Sequence, residues 1–231
     1  MAESDVVIVT GASGNLGAAV CAVLARRGVR VVAVGHDAAT LRARLSAPPA
    51  LAIGPADLAD PAGCAAVAAQ VLGAFGRIDG LAHTVGGFAM GPVTQGAAAL
   101  LDRMRQVNVL TTLHMLGAVW PAMQAAGRGA IVAIGAQPAL RAGAGLGPYA
   151  ATKAAVLRLI EAAADEGKAH GIRANAVLPG IIDTPQNRAA MPDADTSRWV
   201  SPEQVAEAIG FLLSDTAGGI TGALLPVTGR G

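Results

Sequence analysis

Val6-Val7-Ile8-Val9-Thr10-Gly11-Ala12-Ser13-Gly14-Asn15-Leu16-Gly17 is the stretch on which the architecture turns. Its first part is continuously apolar and β-branched, as in a strand buried on both faces; a half-wet strand would alternate. The run stops at Thr10-Gly11, and a helical apolar pattern follows from about Asn15 to Arg27. Glycines at such a junction allow a tight turn, and they let a pyrophosphate approach the backbone at the helix N-terminus. A purely structural turn would also use glycine. The strand–turn–helix order strengthens the dinucleotide reading, which makes Gly11, Ser13, Gly14, Asn15, Leu16 and Gly17 candidate cofactor-binding residues.

Outward from this unit, strand and helix patterns alternate. Apolar runs at 29–34, 51–53, 78–82, 130–134, 172–178 and 223–227 read as further strands. Between them lie helical patterns through Leu41 and Leu45, from Pro61 to Phe75, from Ala97 to Ala126, from Pro148 to His170 and from Pro202 to before Thr216. Pro121 predicts a kink or break in the long 97–126 helix. The alternation predicts an α/β fold, a doubly wound (Rossmann) parallel sheet with helices on both faces, as a single domain over 1–231. The segment 181–200, rich in proline and aspartate, reads as a loop or lid over a site.

Just past the second strand the chain reads Val34-Gly35-His36-Asp37, where an adenosine ribose would be bound. Gly35 leaves room, and His36 offers a donor to a 2′-phosphate. Asp37 is placed to reach ribose hydroxyls instead. The balance favours NADP over NAD.

Composition excludes several classes. Net charge is +1, and the arginines are scattered, with Arg26-Arg27 the one adjacent pair. That gives no electrostatic footprint for nucleic acid or an anionic membrane. No apolar run approaches the ~18 residues of a membrane span. The acidic start Met1-Ala2-Glu3-Ser4-Asp5 is unlike a secretory leader, so a cytoplasmic location is expected. Cys21 and Cys64 sit in alanine-rich helical patterns and read as core filler, and no spacing suggests a metal site.

Tyr149 is the only tyrosine, and Lys153 is one of two lysines, the other being Lys168. On a helix begun by Pro148, a spacing of four sets phenol and ammonium a turn apart on one face. An ammonium there is expected to lower the phenol's pKa from about 10, giving a proton donor or, in reverse, an acceptor. A chance surface pair has the same spacing, so the other motifs decide.

Together the glycine loop, Asp57-Leu58, Gly86, Asn108, Tyr149-x-x-x-Lys153 and Pro179-Gly180…Thr184 resemble the short-chain dehydrogenase/reductase family in order and approximate spacing. The resemblance spans Val6 to Gly231. It implies a seven-stranded sheet, a homodimer or homotetramer, and hydride transfer between NAD(H) or NADP(H) and a small molecule. It further implies that Asp57 and Leu58 hold the adenine, and that Ile182 and Thr184 bind the carboxamide beside Pro179 and Gly180. Lys153 would bind the nicotinamide ribose and tune Tyr149, and Asn108 would hold a relay water. Tyr149, Lys153 and Asn108 are then the catalytic set.

Three positions depart from the family pattern. The glycine comes one place early at Gly14, with Asn15 following, and the stretch after the fourth strand reads His83-Thr84-Val85-Gly86. Ala136 stands where the family has its catalytic serine. That serine donates to a developing oxyanion, and losing such a donor costs about 3 kcal/mol. Three readings follow: a substrate for which Tyr149 suffices, Gln137 or Thr84 as replacement donor, or a regulatory dinucleotide-binding protein without turnover.

Within the family, Gly86-Gly87-Phe88, Ala136 and the segment from Val177 to Arg188, with Met191-Pro192-Asp193-Ala194-Asp195 and Trp199, resemble dihydropteridine reductases. Asn108 departs from that subgroup. The likeness implies a pterin-like heterocycle, whose reduction forms an N–H and needs no carbonyl-polarising serine. Ala136, Gln137, Phe88 and Trp199 are candidate substrate contacts. His83 reads as structural, His114 and His170 as helix-surface or core residues, and Trp199 as a lid anchor before a substrate wall.

Overall fold

Every strand pairing is parallel, which is what uninterrupted apolar strands separated by helices require. The computed structural model describes residues 5–230; Met1-Ala2-Glu3-Ser4 and Gly231 lie outside the described residues. Strands β1 (Val6–Thr10), β2 (Arg30–Val34), β3 (Leu51–Ile53), β4 (Gly80–His83), β5 (Gly129–Ile134), β6 (Ile172–Pro179) and β7 (Leu224–Val227) form one sheet. Its order is β3-β2-β1-β4-β5-β6-β7. The order reverses between β1 and β4, so a crevice opens at the strands' C-terminal ends there.

Alternate residues of each strand enter opposite cores. Val6 and Ile8 join the side covered by α3 (Pro61–Phe75), α5 (Thr111–Ala126) and α6 (Gly147–Gly167). Val7 and Val9 join the side covered by α1 (Asn15–Arg26), α2 (Ala38–Arg44) and α8 (Pro202–Leu213). Cys21 and Cys64 are free and buried, one in each core, and burial pushes their thiols up to about 12 and about 11. The expected filler role holds.

The helix expected from 97 to 126 is interrupted, though not at its proline. α4 (Ala97–Met104) passes into a π-helical turn, Arg105–Leu110, before α5 begins. α5 runs through Pro121 unbroken. Side chains select the widened turn. Thr111 Oγ1 donates to the Val107 carbonyl and Thr112 Oγ1 to that of Asn108, both at 2.7 Å. Such hydroxyl back-bonding bends helices.

The segment 181–200 also has more order than a loop. It carries α7 (Pro185–Ala190), capped by the Thr184 hydroxyl, and Ile182 bridges to Val200. Among the described residues no helix is long and apolar enough to cross a membrane.

Candidate active site

At the crevice, the glycine loop folds as its residues dictate. Gly11 has φ +65°, a left-handed conformation that side chains rarely adopt. Gly17 lies so close to the loop that an added Cβ would stand 2.2 Å from the Gly11 carbonyl oxygen. Gly14 is the N-cap of α1 and carries no side chain, which leaves the first N–H groups of that helix facing outward.

The loop borders a cleft of about 590 Å³. Of the sequence-derived positions, Gly11, Ser13, Gly14, Gly35, His36, Asp57, Leu58 and Gly86 line it. Asn15, Leu16 and Gly17 do not; Leu16 packs toward the core, and Asn15 Nδ2 donates to Gln186 Oε1 of α7 at 2.7 Å. Asp37 also stands off the lining. Its carboxylate accepts from the Ala39 and Thr40 N–H groups and from Thr40 Oγ1, capping α2, and those bonds hold its pKa below the usual carboxylate range. Pro179, Gly180, Ile182 and Thr184 lie beyond the lining, at the end of β6 and the start of the 181–200 segment.

A dinucleotide fits this cleft. Gly11, Ser13 and Gly14 bring backbone to its wall at the N-terminus of α1, and no Lys or Arg is among its lining residues. Thr84, weighed in the sequence as a replacement donor, also lines it; Pro55, Ala56, Ala59, Val85, Gln106, Val107 and Thr111 line it without having been singled out. Pro55 after the third strand was the one with a local signal. Gln106 and Val107 reach the cleft from the π turn and Thr111 from the first residue of α5 just after it, and sequence periodicity does not announce that turn.

Deeper in, Lys153 and Asn108 meet around Gly86. An added Cβ at Gly86 would lie 3.0 Å from both Asn108 Oδ1 and Lys153 Nζ. Asn108 is buried and its amide is fully engaged: Oδ1 accepts from Gly87 N at 2.8 Å, and Nδ2 donates to Gly87 O and Thr152 Oγ1, each at 3.1 Å. Thr152 in turn donates to the Tyr149 carbonyl at 2.8 Å. Thr152 was missed in the sequence, although it directly precedes Lys153.

The expected tuning of Tyr149 by Lys153 is not what this geometry shows. Lys153 Nζ donates to the Ile134 carbonyl at 2.9 Å, not to the phenol. Burial lowers the ammonium to about 8 and raises the phenol to about 12. Desolvation outweighs the neighbouring charge because each ionised form is stripped of water while no hydrogen bond joins the two. Phe88 packs edge-on against the Tyr149 ring, with centroids 5.0 Å apart.

His83 is structural, as expected. Its ring nitrogens face Thr10 Oγ1 (3.0 Å) and Thr111 Oγ1 (3.2 Å), and burial, followed by Lys153, pushes it down to about 3. Thr84 is corrected as a replacement donor. Its hydroxyl proton goes to the Thr10 carbonyl at 2.6 Å. Ala136 is buried at the end of β5, and Gln137, half-buried, opens the short 3₁₀ turn that follows. Trp199 is half-buried, and its backbone lies close to Gly229. Among the described residues no cluster of His, Cys, Asp or Glu is suited to a metal.

Comparison with known proteins agrees. The short chain dehydrogenase family model matches residues 5–195. The cis-4-hydroxycyclohexanecarboxylate dehydrogenase of Sinomonas cyclohexanicum is 35% identical, over 97% of this chain and 95% of its own. The L-rhamnose 1-dehydrogenase (NAD(P)(+)) of Azotobacter vinelandii is also 35% identical, over 96% and 94%. The structure of a short-chain type dehydrogenase/reductase from Mycobacterium ulcerans superposes with a TM-score of 0.91 at 30% identity, covering 98% of this chain and 89% of that one. The chain belongs to the short chain dehydrogenase family and is an NAD(P)-dependent oxidoreductase.

Proposed function

We propose that the protein interconverts a small carbonyl compound and its alcohol, with Tyr149 passing the proton and NADP the preferred cofactor. The observation that carries this reading is the meeting of Lys153 and Asn108 at Gly86, on the wall of the cleft, with Tyr149 one turn before Lys153 on α6 and its carbonyl linked to Asn108 through Thr152. The bound cofactor supplies or takes the hydride. Tyr149 holds its proton firmly at neutral pH, since burial keeps the phenol well above that range, so it serves as an acid toward a substrate oxygen. Lys153 is positioned by the Ile134 carbonyl, and its remaining N–H groups would bind the cofactor ribose. Asn108 ties the loop at Gly87 to Thr152 and so sets the height of α6, on which Tyr149 rides.

Gly11, Ser13, Gly14 and Gly86 would hold the phosphates and nicotinamide half, and Asp57 and Leu58 the adenine. Gly35 and His36 would meet a 2′-phosphate; Asp37, committed to capping α2, is a poor ribose ligand, which supports NADP. Pro179, Gly180, Ile182 and Thr184 would contact the carboxamide from the lid. With Thr84 committed, Gln137 is the side chain left to assist Tyr149 at the substrate oxygen. Exposed Leu101 and Leu113, on α4 and α5, support assembly into a homodimer or homotetramer.

A second reading is favoured by Ala136 alone: a pterin-like heterocycle, whose reduction needs no second hydroxyl. NADPH oxidation with a ketone panel and with a quinonoid dihydropterin separates the two. Tyr149→Phe should lower kcat/KM by about 10²–10⁴ with dinucleotide binding retained. Intact turnover in that variant would remove Tyr149 from its assigned role, and tight dinucleotide binding with no turnover by the natural protein would favour the regulatory alternative.

A further inference from the structure

We propose that the substrate is an uncharged ring compound with one reactive polar group, held in an apolar collar in which Phe88 also fixes the orientation of Tyr149. This rests on the oxidoreductase reading above and names its substrate class.

The loops leaving β4, β5 and β6 at the crevice end carry large apolar side chains open to solvent. Phe88 is 63% exposed, Met90 62%, Val93 70%, Leu140 57% and Ile181 45%. Scattered apolar exposure is ordinary, but five such residues on three loops at one end of a sheet mark a surface built to be covered. Two of these loops are tied together. Gly91 N donates to the Gly145 carbonyl at 2.8 Å. An added Cβ at Gly147 would meet Val93 Cγ1 at 2.5 Å, and one at Gly145 would lie 3.4 Å from Met90 Cε. Met90 and Val93 therefore lean on the residues that lead into α6, and Phe88 lies edge-on to Tyr149, with an interplanar angle of 79°.

The polar groups nearby are already engaged. The Asn108 amide has both protons placed, and the Thr84 hydroxyl donates to Thr10. Ala136, buried just past β5, brings a methyl group and no hydroxyl. Asp183 and Arg188 neutralise each other through two bonds of 2.6 and 2.7 Å. Apart from Arg141 at the exposed rim, the Tyr149 phenol and the Gln137 amide are the groups this reading gives the substrate, enough for one polar centre. A compact ring lays hydrocarbon on Phe88 and Met90 with little conformational entropy to lose, whereas each extra hydroxyl brought into the collar loses water without gaining a partner. Arg141, exposed beside Leu140, is the group that an anionic substrate would use.

The test compares cyclohexanone, 4-oxocyclohexanecarboxylate and 1,3-dihydroxyacetone with the NADPH-loaded protein. The proposal expects kcat/KM for cyclohexanone to exceed both others by tenfold or more. Phe88→Ala should raise KM for cyclohexanone about tenfold and also lower kcat, while Phe88→Leu restores KM but not kcat. Neither should change KM for dihydroxyacetone. Preference for the carboxylate would overturn the proposal in favour of Arg141, and preference for dihydroxyacetone would overturn it in favour of a polar pocket; both leave the oxidoreductase reading standing. A changed oligomeric state in Phe88→Ala at constant KM would overturn it by making the collar an interface between copies. Equilibrium dialysis of cyclohexanone with the NADPH complex of Tyr149→Phe separates the two layers. Phe88-dependent binding there supports the collar even if the natural protein turns over nothing, and no binding overturns it.

Discussion

Ala136 presents a methyl group where the family resemblance expects a hydroxyl, so under the proposed carbonyl chemistry charge developing on a substrate oxygen would meet one hydroxyl donor, Tyr149. Under the carbonyl reading, Ala136→Ser should raise kcat/KM for ketones by up to about 100-fold, measured by NADPH oxidation. No gain, or a loss, would favour the pterin-like alternative. Lys153 gives a pH prediction. Burial lowers its ammonium to about 8, so its charge fades as pH rises through that value, and turnover that depends on the charge should decline above it. Lys153→Met should be slow and lack that limb of the profile; an unchanged limb would assign it to another group. The sign for stability is opposite. Between about pH 8 and the ordinary lysine value of about 10.4, the unfolded chain binds this proton more tightly, so this group's contribution to stability rises with pH. These residue identities were all legible in the sequence. The protonation behaviour of the pair was not, because spacing gives adjacency whereas desolvation depends on what else surrounds the two groups.

Between α4 and α5, the π turn is where the chain departs most from its periodicity. Asn108 holds that turn through three hydrogen bonds, one accepted from Gly87 and two donated, to Gly87 and Thr152. Asn108→Ala should therefore cost about 2–4 kcal/mol by leaving buried groups unpaired, with a fall in kcat beyond what cofactor affinity explains. Denaturant melts and dinucleotide titration check the two parts separately. Across the crevice, Asn15 takes a place where the family pattern has glycine, and it ties α1 to α7 through Gln186. Gln186→Ala should speed cofactor release several-fold in stopped-flow displacement with little change in melting temperature. An unchanged release rate would make the contact incidental. Helix starts at Pro61, Pro148 and Pro202 were visible because capping is local chemistry. The π turn and α7 were not, since each depends on partners far along the chain.

At the opposite end of the sheet from the cleft, a charged network closes the molecule. Buried Asp79 accepts from Val6 N at 2.8 Å and from Arg77 through two 2.7 Å bonds, and buried Asp5 pairs with Arg77 and Arg128. Asp79→Ala should cost about 3 kcal/mol, the low end for a broken buried pair because both guanidiniums are partly solvated. The melting temperature should drop by roughly 6–12 °C while the dinucleotide Kd stays constant, since the network is remote from the cleft. The amino-acid sequence alone determined the doubly wound sheet, the glycine turn and the Tyr149–Lys153 pair, because burial period, capping and positive-φ turns act over a few residues. Only the tertiary structure decided that Asp37 caps a helix, that Thr84 is committed to Thr10, that the long helix opens at Asn108 and that Phe88 stands against Tyr149. Those outcomes depend on which donors and surfaces meet after long stretches of chain have closed, and no local pattern encodes such a meeting.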